Sequence, residues 1–336
     1  MKTIRRFSLY LLLAFGTALI SITLLSLSED SSRWYLKILD FPRLQVILGL
    51  AICLLFFLIF NKKWNPSSFL FAGGLTTSLA LQTYILLPYL PFSSEAAASA
   101  SNSVDSQKVL SVMVANVYMK NRSVDNLLEI VTEKDPTLFL AMEVNKWWTE
   151  QLSPLHERYP HRISYPADNT YGMALYSKLP LDEHQILFFN QDSVPSFRAK
   201  VKLADGSVFQ LLTLHPVPPK PSEHPDNVGE KEVALMKAGR LIADSSPLPA
   251  LVMGDLNDVG WSYNSQRFEA LSNLHDLRRG RGLYNTFDAH SIWMRWPLDY
   301  IYVSKEFKVR KLERLSSFGS DHFPYYAELV FGAVKE

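Results

Sequence analysis

The 336-residue chain has a single cysteine, Cys53. An internal disulfide framework and a cysteine zinc site are therefore excluded, and a catalytic thiol is disfavoured. An excess of charge of one sign is missing too: 34 Lys and Arg stand against 33 Asp and Glu, a formal net charge of +1. Proteins that grip duplex nucleic acid usually carry a strong basic excess, so recognition of phosphate must be local here. Beyond Lys108 there is neither an internal repeat nor a low-complexity tract. Charged side chains are absent from three long apolar runs near the N-terminus: "FSLYLLLAFGTALISITLLSL" from Phe7, "LQVILGLAICLLFFLIF" from Leu44 and "SSFLFAGGLTTSLALQTYILLPYLPF" from Ser67.

Each run approaches the ~20 residues that carry a helix across roughly 30 Å of hydrocarbon. Three transmembrane helices are expected, over about residues 7–27, 44–60 and 67–91, making 1–92 a membrane region. Lys2, Arg5 and Arg6 also give the first run the basic front of a cleaved signal peptide, but its length and the two runs behind it favour a span. Gly73, Gly74 and Pro88 leave a re-entrant or kinked form open for the third. Lys2, Arg5 and Arg6 precede the first span, Lys62 and Lys63 separate the second from the third, and no basic residue follows the third until Lys108. Arg33, Lys37 and Arg43 dilute the signal in the first loop. The balance predicts a cytoplasmic N-terminus in a plasma (inner) membrane, with everything beyond residue 92 outside. The lack of cysteine in that outer part is compatible with an oxidising compartment.

"SSEAAASASNSVDSQ", residues 93–107, is small and polar and reads as a linker. Residues 108–336 then form one domain of about 230 residues. "KVLSVMVANVY" is a buried strand ending near Asn116, and "SVDNLLEIVTEKDP" is a helix capped by Ser123 and stopped before Pro136. "TLFLAMEV", ending at Glu143, and "YGMALYSK" are strands, and "FRAKVKLADGSVFQLLTLH" is a hairpin turning at Asp205 and Gly206. A helix from Gly229 to about Ser245 precedes the strand "ALVMGDLND", and "PLDYIYVS" and "FPYYAELVF" close the chain. Strands that alternate with helices yet also pair as hairpins predict a mixed-sheet, layered α/β domain.

Polar residues recur where apolar strands end: Asn116, Glu143, His215, and the group Asp255, Asn257 and Asp258. In layered α/β folds the ligand crevice lies beyond such ends, so these points can converge. Singly, each has a plain structural reading. Glu143 could be a solvated strand-end carboxylate, "GDLND" a turn, and His215 a satisfied core imidazole. "GSDHFP" near the C-terminus sets an acid beside an imidazole at a strand entrance, which suits a turn, a pH-sensitive ion pair or half of a catalytic site. As a set, carboxylates and amides without thiols suit a hard cation such as Mg²⁺ or Mn²⁺. Two imidazoles beside acids supply what hydrolysis of a phosphate ester needs.

"ANVYMKN", "FLAMEVN", "YGMALYSK", "LTLHP", "VMGDLND", "PLDYIYVS" and "GSDHFPYYAEL" resemble, in order and spacing, motifs of the endonuclease/exonuclease/phosphatase superfamily across roughly residues 108–332. The resemblance implies a four-layer α/β sandwich, two mixed sheets flanked by helices, here preceded by the three membrane helices. It further implies that Glu143 is the principal metal ligand, assisted by Asn116 and Asp321. His322 would be the catalytic imidazole, oriented by Asp299. Asp255 and Asn257 would hold the attacking water and the phosphoryl oxygens. His215 matches the additional histidine of the deoxyribonuclease, sphingomyelinase and inositol phosphatase branches and argues against the abasic-site branch; Tyr171 stands where some members place a tyrosine on the phosphate.

The activity implied is a membrane-anchored, Mg²⁺- or Mn²⁺-dependent phosphodiesterase or nuclease acting on DNA, RNA or a phospholipid-type ester. Its partners would be that substrate and a lipid bilayer, with no protein partner. The alternative is a non-enzymatic binding or scaffold protein that keeps the fold. Lys220 and His224, in the proline-rich loop after His215, and Arg198 are possible phosphate contacts, although the loop could equally be an ordinary surface excursion. "RRGRGLYNTF" from Arg278 sets three arginines near aromatics, either a nucleic-acid contact or a solvated basic turn.

Overall fold

The computed structural model describes residues 2–28, 33–101, 108–218, 233–244 and 248–332. They fall into two units, Met1–Pro88 and Tyr89–Glu336.

The first unit holds α1 (Lys2–Leu25), the single turn α2 (Trp34–Lys37), α3 (Arg43–Phe60) and α4 (Pro66–Leu86). The α1, α3 and α4 helices are each long and apolar enough to cross a membrane. Leu19, Val46, Leu50, Cys53 and Leu75 form the core between them. Gly16 lets α1 approach closely, because a Cβ there would lie 2.4 Å from the Phe71 ring. Asn65 starts α4 by accepting from the Ser68 N–H, with Pro66 in the first turn where its missing donor costs nothing. The helix runs unbroken through Gly73 and Gly74, unlike a re-entrant segment, and ends just before Pro88. Arg43 is buried and ion-paired with Asp40, and it donates to the Gln82 amide oxygen at 2.8 Å.

The second unit begins at Tyr89, which is buried against Trp261. One sheet contains β1 (Val109–Asn116), β2 (Leu138–Met142), β3 (His161–Tyr165), β4 (Met173–Ser177), β11 (Phe307–Arg314) and β12 (Tyr325–Phe331), in the order β11-β12-β1-β2-β4-β3. The other contains β5 (Leu181–Phe188), β6 (Pro195–Lys202), β7 (Val208–Leu214), β8 (Ala250–Asp255), β9 (His275–Asp276) and β10 (Asp299–Val303), in the order β5-β6-β7-β8-β10-β9. Each sheet has one parallel pair, β1 with β2 and β7 with β8, and is otherwise antiparallel. The parallel pairs are joined through α5 (Val124–Lys134) and α7 (Ala234–Asp244); α6 (Lys146–Gln151) and α8 (Tyr263–Ser272) are the other α-helices among the described residues of this unit.

Strand alternation builds three cores from this order. Leu110, Val112, Leu140, Leu211, Met253 and Ile301 meet between the sheets. Met113, Ala115, Leu127, Val131 and Trp148 lie between the first sheet and its helices, and Leu212, Val252, Ala238 and Phe268 between the second sheet and α7 and α8. The result is the expected four-layer sandwich. Ser123 stands at the N-cap of α5 but its hydroxyl makes no cap; the Asn121 side chain accepts from the Ser123 N–H instead. Gly206 takes the left-handed turn of the β6–β7 hairpin.

Within residues 93–101, read as linker, Ala98 to Ala100 run along the edge of β11. Val309 donates to the Ala98 carbonyl and accepts from the Ala100 N–H, both at 2.8 Å, while Arg281 grips Glu95 and the Ala97 carbonyl. Small side chains that suit a flexible tether also let a backbone lie flat on a strand. Residues 102–107 lie outside the described residues, as do Lys220 and His224.

Candidate active site

Alternation along each strand decides what faces the crevice between the sheets. Continuing the register of Val112 and Val114 aims Asn116 inward; Leu211 leads likewise to His215, Met253 to Asp255, and Ile301 to Asp299. Asp299 lies directly opposite Asp255 because β10 runs antiparallel to β8, so a strand beginning and a strand end share one edge. Glu143 breaks the rule. Its parity matches Phe139 and Ala141, which face the helices, but a left-handed backbone (φ 61°) turns its carboxylate toward Asn116. Gly254 (φ 152°) closes β8 onto β7, where a Cβ would stand 1.8 Å from the Leu214 carbonyl oxygen.

These elements bring the sequence-predicted residues together. The Asn116 amide donates to Glu143 Oε1 at 3.1 Å and to Asp255 Oδ2 at 3.2 Å, tying the two sheets. The Met119 N–H donates to Glu143 Oε2 at 3.2 Å. Asp255 Oδ1 accepts from the Asn257 N–H at 2.9 Å, and the Asn257 amide donates to the Pro216 carbonyl. His322 Nδ1 lies 2.8 Å from Asp299 Oδ2, and its Nε2 faces Asp255 Oδ2 at 3.6 Å. His215 Nε2 stands 3.8 Å from the same Asp255 oxygen, with the Tyr171 ring 5.4 Å from the imidazole. Asp321 follows Ser320, whose hydroxyl pins the β12 entrance to the Asn116 carbonyl at 2.7 Å. Asp258 holds the turn after β8 by accepting from the Val259 N–H.

The electrostatics separate two kinds of group. Burial pushes the Glu143 carboxyl above its usual range, Asn116 and the Met119 N–H pull it down, and Asp321 pushes it up again. Burial likewise raises Asp255, against the pull of His322. Burial lowers His215 more than Asp255 raises it. Burial would lower His322 as well, but Asp299 and Asp255 together outweigh it and lift the imidazole to about 10. Asp299 Oδ1 is buried with no hydrogen-bond partner among the described residues.

Four carboxylates, Glu143, Asp255, Asp299 and Asp321, crowded with one cationic imidazole are short of positive charge, and the donors suit a hard cation. Glu143 and Asp321 offer oxygens on the half-open side of the crevice, with the buried Asn116 beside them. Asp255, Asp299 and His322 also lie within 4.8 Å of one another. Two of the three, however, share the His322 Nδ1–Asp299 Oδ2 hydrogen bond, and Asp255 already accepts from Asn116 and Asn257, an arrangement that fits proton handling better than metal binding.

Sequence reasoning missed the groups that brace this set. Thr286 Oγ1 accepts from the Asp299 N–H, and the Phe287 ring lies 4.9 Å from the His322 ring. Both stand in an irregular segment without periodicity, so nothing in the sequence flags them. The "RRGRG" arginines do not form a solvated basic turn, since each is paired with a carboxylate. Arg278 is fully buried, paired with Asp276 at 2.9 Å and stacked on Tyr300; Arg279 pairs with Glu269 and Arg281 with Glu95.

Two mixed sheets closing over a buried cluster of carboxylates and imidazoles define a class of metal-dependent phosphoester hydrolases. The chain belongs to the Endonuclease/Exonuclease/phosphatase family, whose sequence model matches residues 113–322. It is thus a metal-dependent hydrolase acting on phosphate ester bonds. No curated protein matches it in sequence. Among solved structures it is similar to D. rerio TDP2 complexed with single-strand DNA product (TM-score 0.54, 16% identity, 67% of this chain and 99% of that one). It is also similar to the human Nocturnin catalytic domain with bound sulfate (0.52, 18%, 68% and 96%). A third is a family protein from Bacteroides thetaiotaomicron (0.50, 21%, 66% and 95%). At these identities the likeness shows the fold alone.

Proposed function

We propose that the chain is a membrane-anchored phosphodiesterase that uses Mg²⁺ or Mn²⁺ and an Asp/His-assisted water to cleave a nucleic-acid or phospholipid-type phosphodiester. The observation that carries this reading is the geometry around Asp255, whose Oδ2 is approached by Asn116 at 3.2 Å, His322 at 3.6 Å and His215 at 3.8 Å. Glu143, Asn116 and Asp321 would hold the cation, which supplies charge neutralisation of the phosphoryl oxygens. Asp255, made more basic by burial, takes the proton of the attacking water, which Asn257 helps to position. His322, kept cationic by Asp299, donates to a phosphoryl oxygen and stabilises the charge that develops there. His215 and Tyr171 line the phosphate side of the crevice.

Three helices able to cross a bilayer support the anchor. The loop charges support a cytoplasmic N-terminus and an extracytoplasmic catalytic unit in the plasma (inner) membrane. Arg43, one of the basic residues that diluted that signal, is buried and neutralised by Asp40.

The test is hydrolysis by the full-length chain of plasmid DNA, RNA, sphingomyelin, other phospholipids and inositol phosphates, with Mg²⁺, Mn²⁺ or EDTA. Cleavage that EDTA abolishes and His322→Ala lowers by about 10²–10⁴-fold is expected. Cleavage indifferent to chelator, or to His322→Ala in a folded protein, refutes the assignment.

A further inference from the structure

The segment between Phe287 and Pro297 leaves the catalytic crevice, turns in solvent and returns. Its tip carries Ile292 at 79% exposure, Trp293 at 75% and Met294 at 48%, three consecutive large apolar side chains with no polar residue among them. The tip is held in shape. Ser291 Oγ accepts from the Met294 N–H at 2.8 Å, Asp288 Oδ1 accepts from the His290 N–H at 2.8 Å, and the Arg295 guanidinium donates to the Ser291 carbonyl. Its base is fastened to the site: the Phe287 and Trp296 rings stack, and the Ala289 N–H donates to the Asp321 carbonyl at 2.7 Å. A braced loop that spends exposure on Ile, Trp and Met beside a reaction centre is a contact surface.

Beneath the tip lie two guanidiniums. Arg295 stands 5.1 Å and Arg314 4.5 Å from the centre of the Phe323 ring, and Phe323 is the neighbour of His322. Neither forms an ion pair with a carboxylate among the described residues, whereas Arg278, Arg279 and Arg281 all do. Burial lowers the proton affinity of Arg314 and the Arg295 charge lowers it further, so the pair is short of an anion. Apolar tips with flanking arginines are the composition of protein surfaces that sit in the headgroup layer, where aromatic rings occupy the interface and guanidiniums meet phosphate.

We infer that the 288–296 loop, with Arg295 and Arg314, is a docking surface for a phospholipid bilayer bearing anionic headgroups. The inference rests on the membrane-anchored reading and deepens it, pointing to a substrate presented at a lipid surface. Two observations favour lipid over nucleic acid. Ile292 and Met294 have no ring with which to stack a base, and the catalytic unit begins at Tyr89, directly after an apolar helix that ends at Leu86.

The experiment uses the full chain reconstituted in nanodiscs of phosphatidylcholine, with or without phosphatidylglycerol. In a Cys53→Ala background, Trp293→Cys and, as control, the exposed Lys305→Cys carry an environment-sensitive fluorophore. The label at 293 should shift to the blue and be quenched by nitroxide-bearing lipid at least about twofold more than the label at 305. Arg295→Gln with Arg314→Gln should remove the added effect of phosphatidylglycerol. A drop in the quenching of tryptophan emission by brominated phospholipid on Trp293→Phe, beyond what Trp34 and Trp64 beside the membrane helices retain, gives the same answer without a label. A label at 293 that stays in water, or that responds to single-stranded DNA instead of lipid, overturns the inference. Carbonate extraction of the chain from vesicles tells whether the membrane reading falls with it, and none of these readouts needs turnover.

Discussion

The two sheets meet at one site but furnish it differently. The first sheet contributes Asn116, Glu143, Asp321 and His322, of which Glu143 and Asp321 are only half-buried; the second contributes His215, Asp255 and Asp299, all sealed from solvent. Oxygens that hold a cation need an approach for the ion and its waters, while groups that move protons work best where water cannot level their basicity. Contacts that stitch the halves include Asn116 to Asp255, His322 to Asp299 and the Asp255 N–H to Met142 Sδ. On the proposed reading the seam divides the labour, with His322 as the first sheet's sealed contribution to proton handling, and substitutions on either side should fail in different ways.

The largest effect belongs to the sealed side. Asp255→Asn keeps the shape of the side chain but removes the base, and should cut kcat by about 10²–10⁴-fold while leaving Mg²⁺ affinity within about threefold of the original. Steady-state kinetics and calorimetric metal titration measure the two. A loss of metal affinity as large as the loss of rate would erase the distinction between the sheets. On the same sheet, Gly254→Ala forces a Cβ to 1.8 Å from the Leu214 carbonyl oxygen at a φ of 152°. The corresponding parallel pair of the first sheet sets Ala115 beside Ala141 and needs no glycine. Gly254→Ala should cost about 3 kcal/mol or more, read by denaturant unfolding.

On the open side, Glu143→Gln should weaken Mg²⁺ or Mn²⁺ binding by at least about tenfold, because even groups that merely support a ligand are worth that much. Part of its activity should return at high metal concentration. Rescue of Asp255→Asn by metal, or none for Glu143→Gln, would reverse the assignment of roles.

Much of this site was legible because its residues terminate apolar strands. Asn116, His215, Asp255 and Asp299 continue the alternation of the strands they bound, so pattern alone aims them into the crevice. Glu143 was legible as a strand end, but its aim depends on a left-handed backbone that no periodicity announces. Edge strands were harder: β5 is exposed along most of its length and β11 is largely polar, so neither presents an apolar run. The arginines of "RRGRG" misled because their partners are partly remote. Asp276 is two residues from Arg278, but Tyr300 and Glu269 reach the group only through the packing of β10 and α8. Residues 93–101 misled for the opposite reason, since the composition of a free tether is also that of a chain lying against β11.

The smallest prediction concerns Glu269, which lies on the second sheet's helix layer away from the chemistry. Burial raises its carboxyl to about 8, with Asp276 adding to the shift and Arg279, 3.1 Å away, opposing it. The unfolded chain would release that proton near the ordinary pKa of about 4.3, so the native state holds more protons between these values. The stabilisation is fully present below about pH 4 and is lost as pH rises through about 8, at up to about 1.4 kcal/mol per pH unit. Glu269→Gln cannot titrate and should flatten this decline between pH 6 and pH 8, on the order of the range that linkage sets. Scanning calorimetry of both proteins across that range measures it. An unchanged slope would mean that Arg279 keeps Glu269 ionised, making the helix layer of the second sheet as tolerant of charge as the open side of the first.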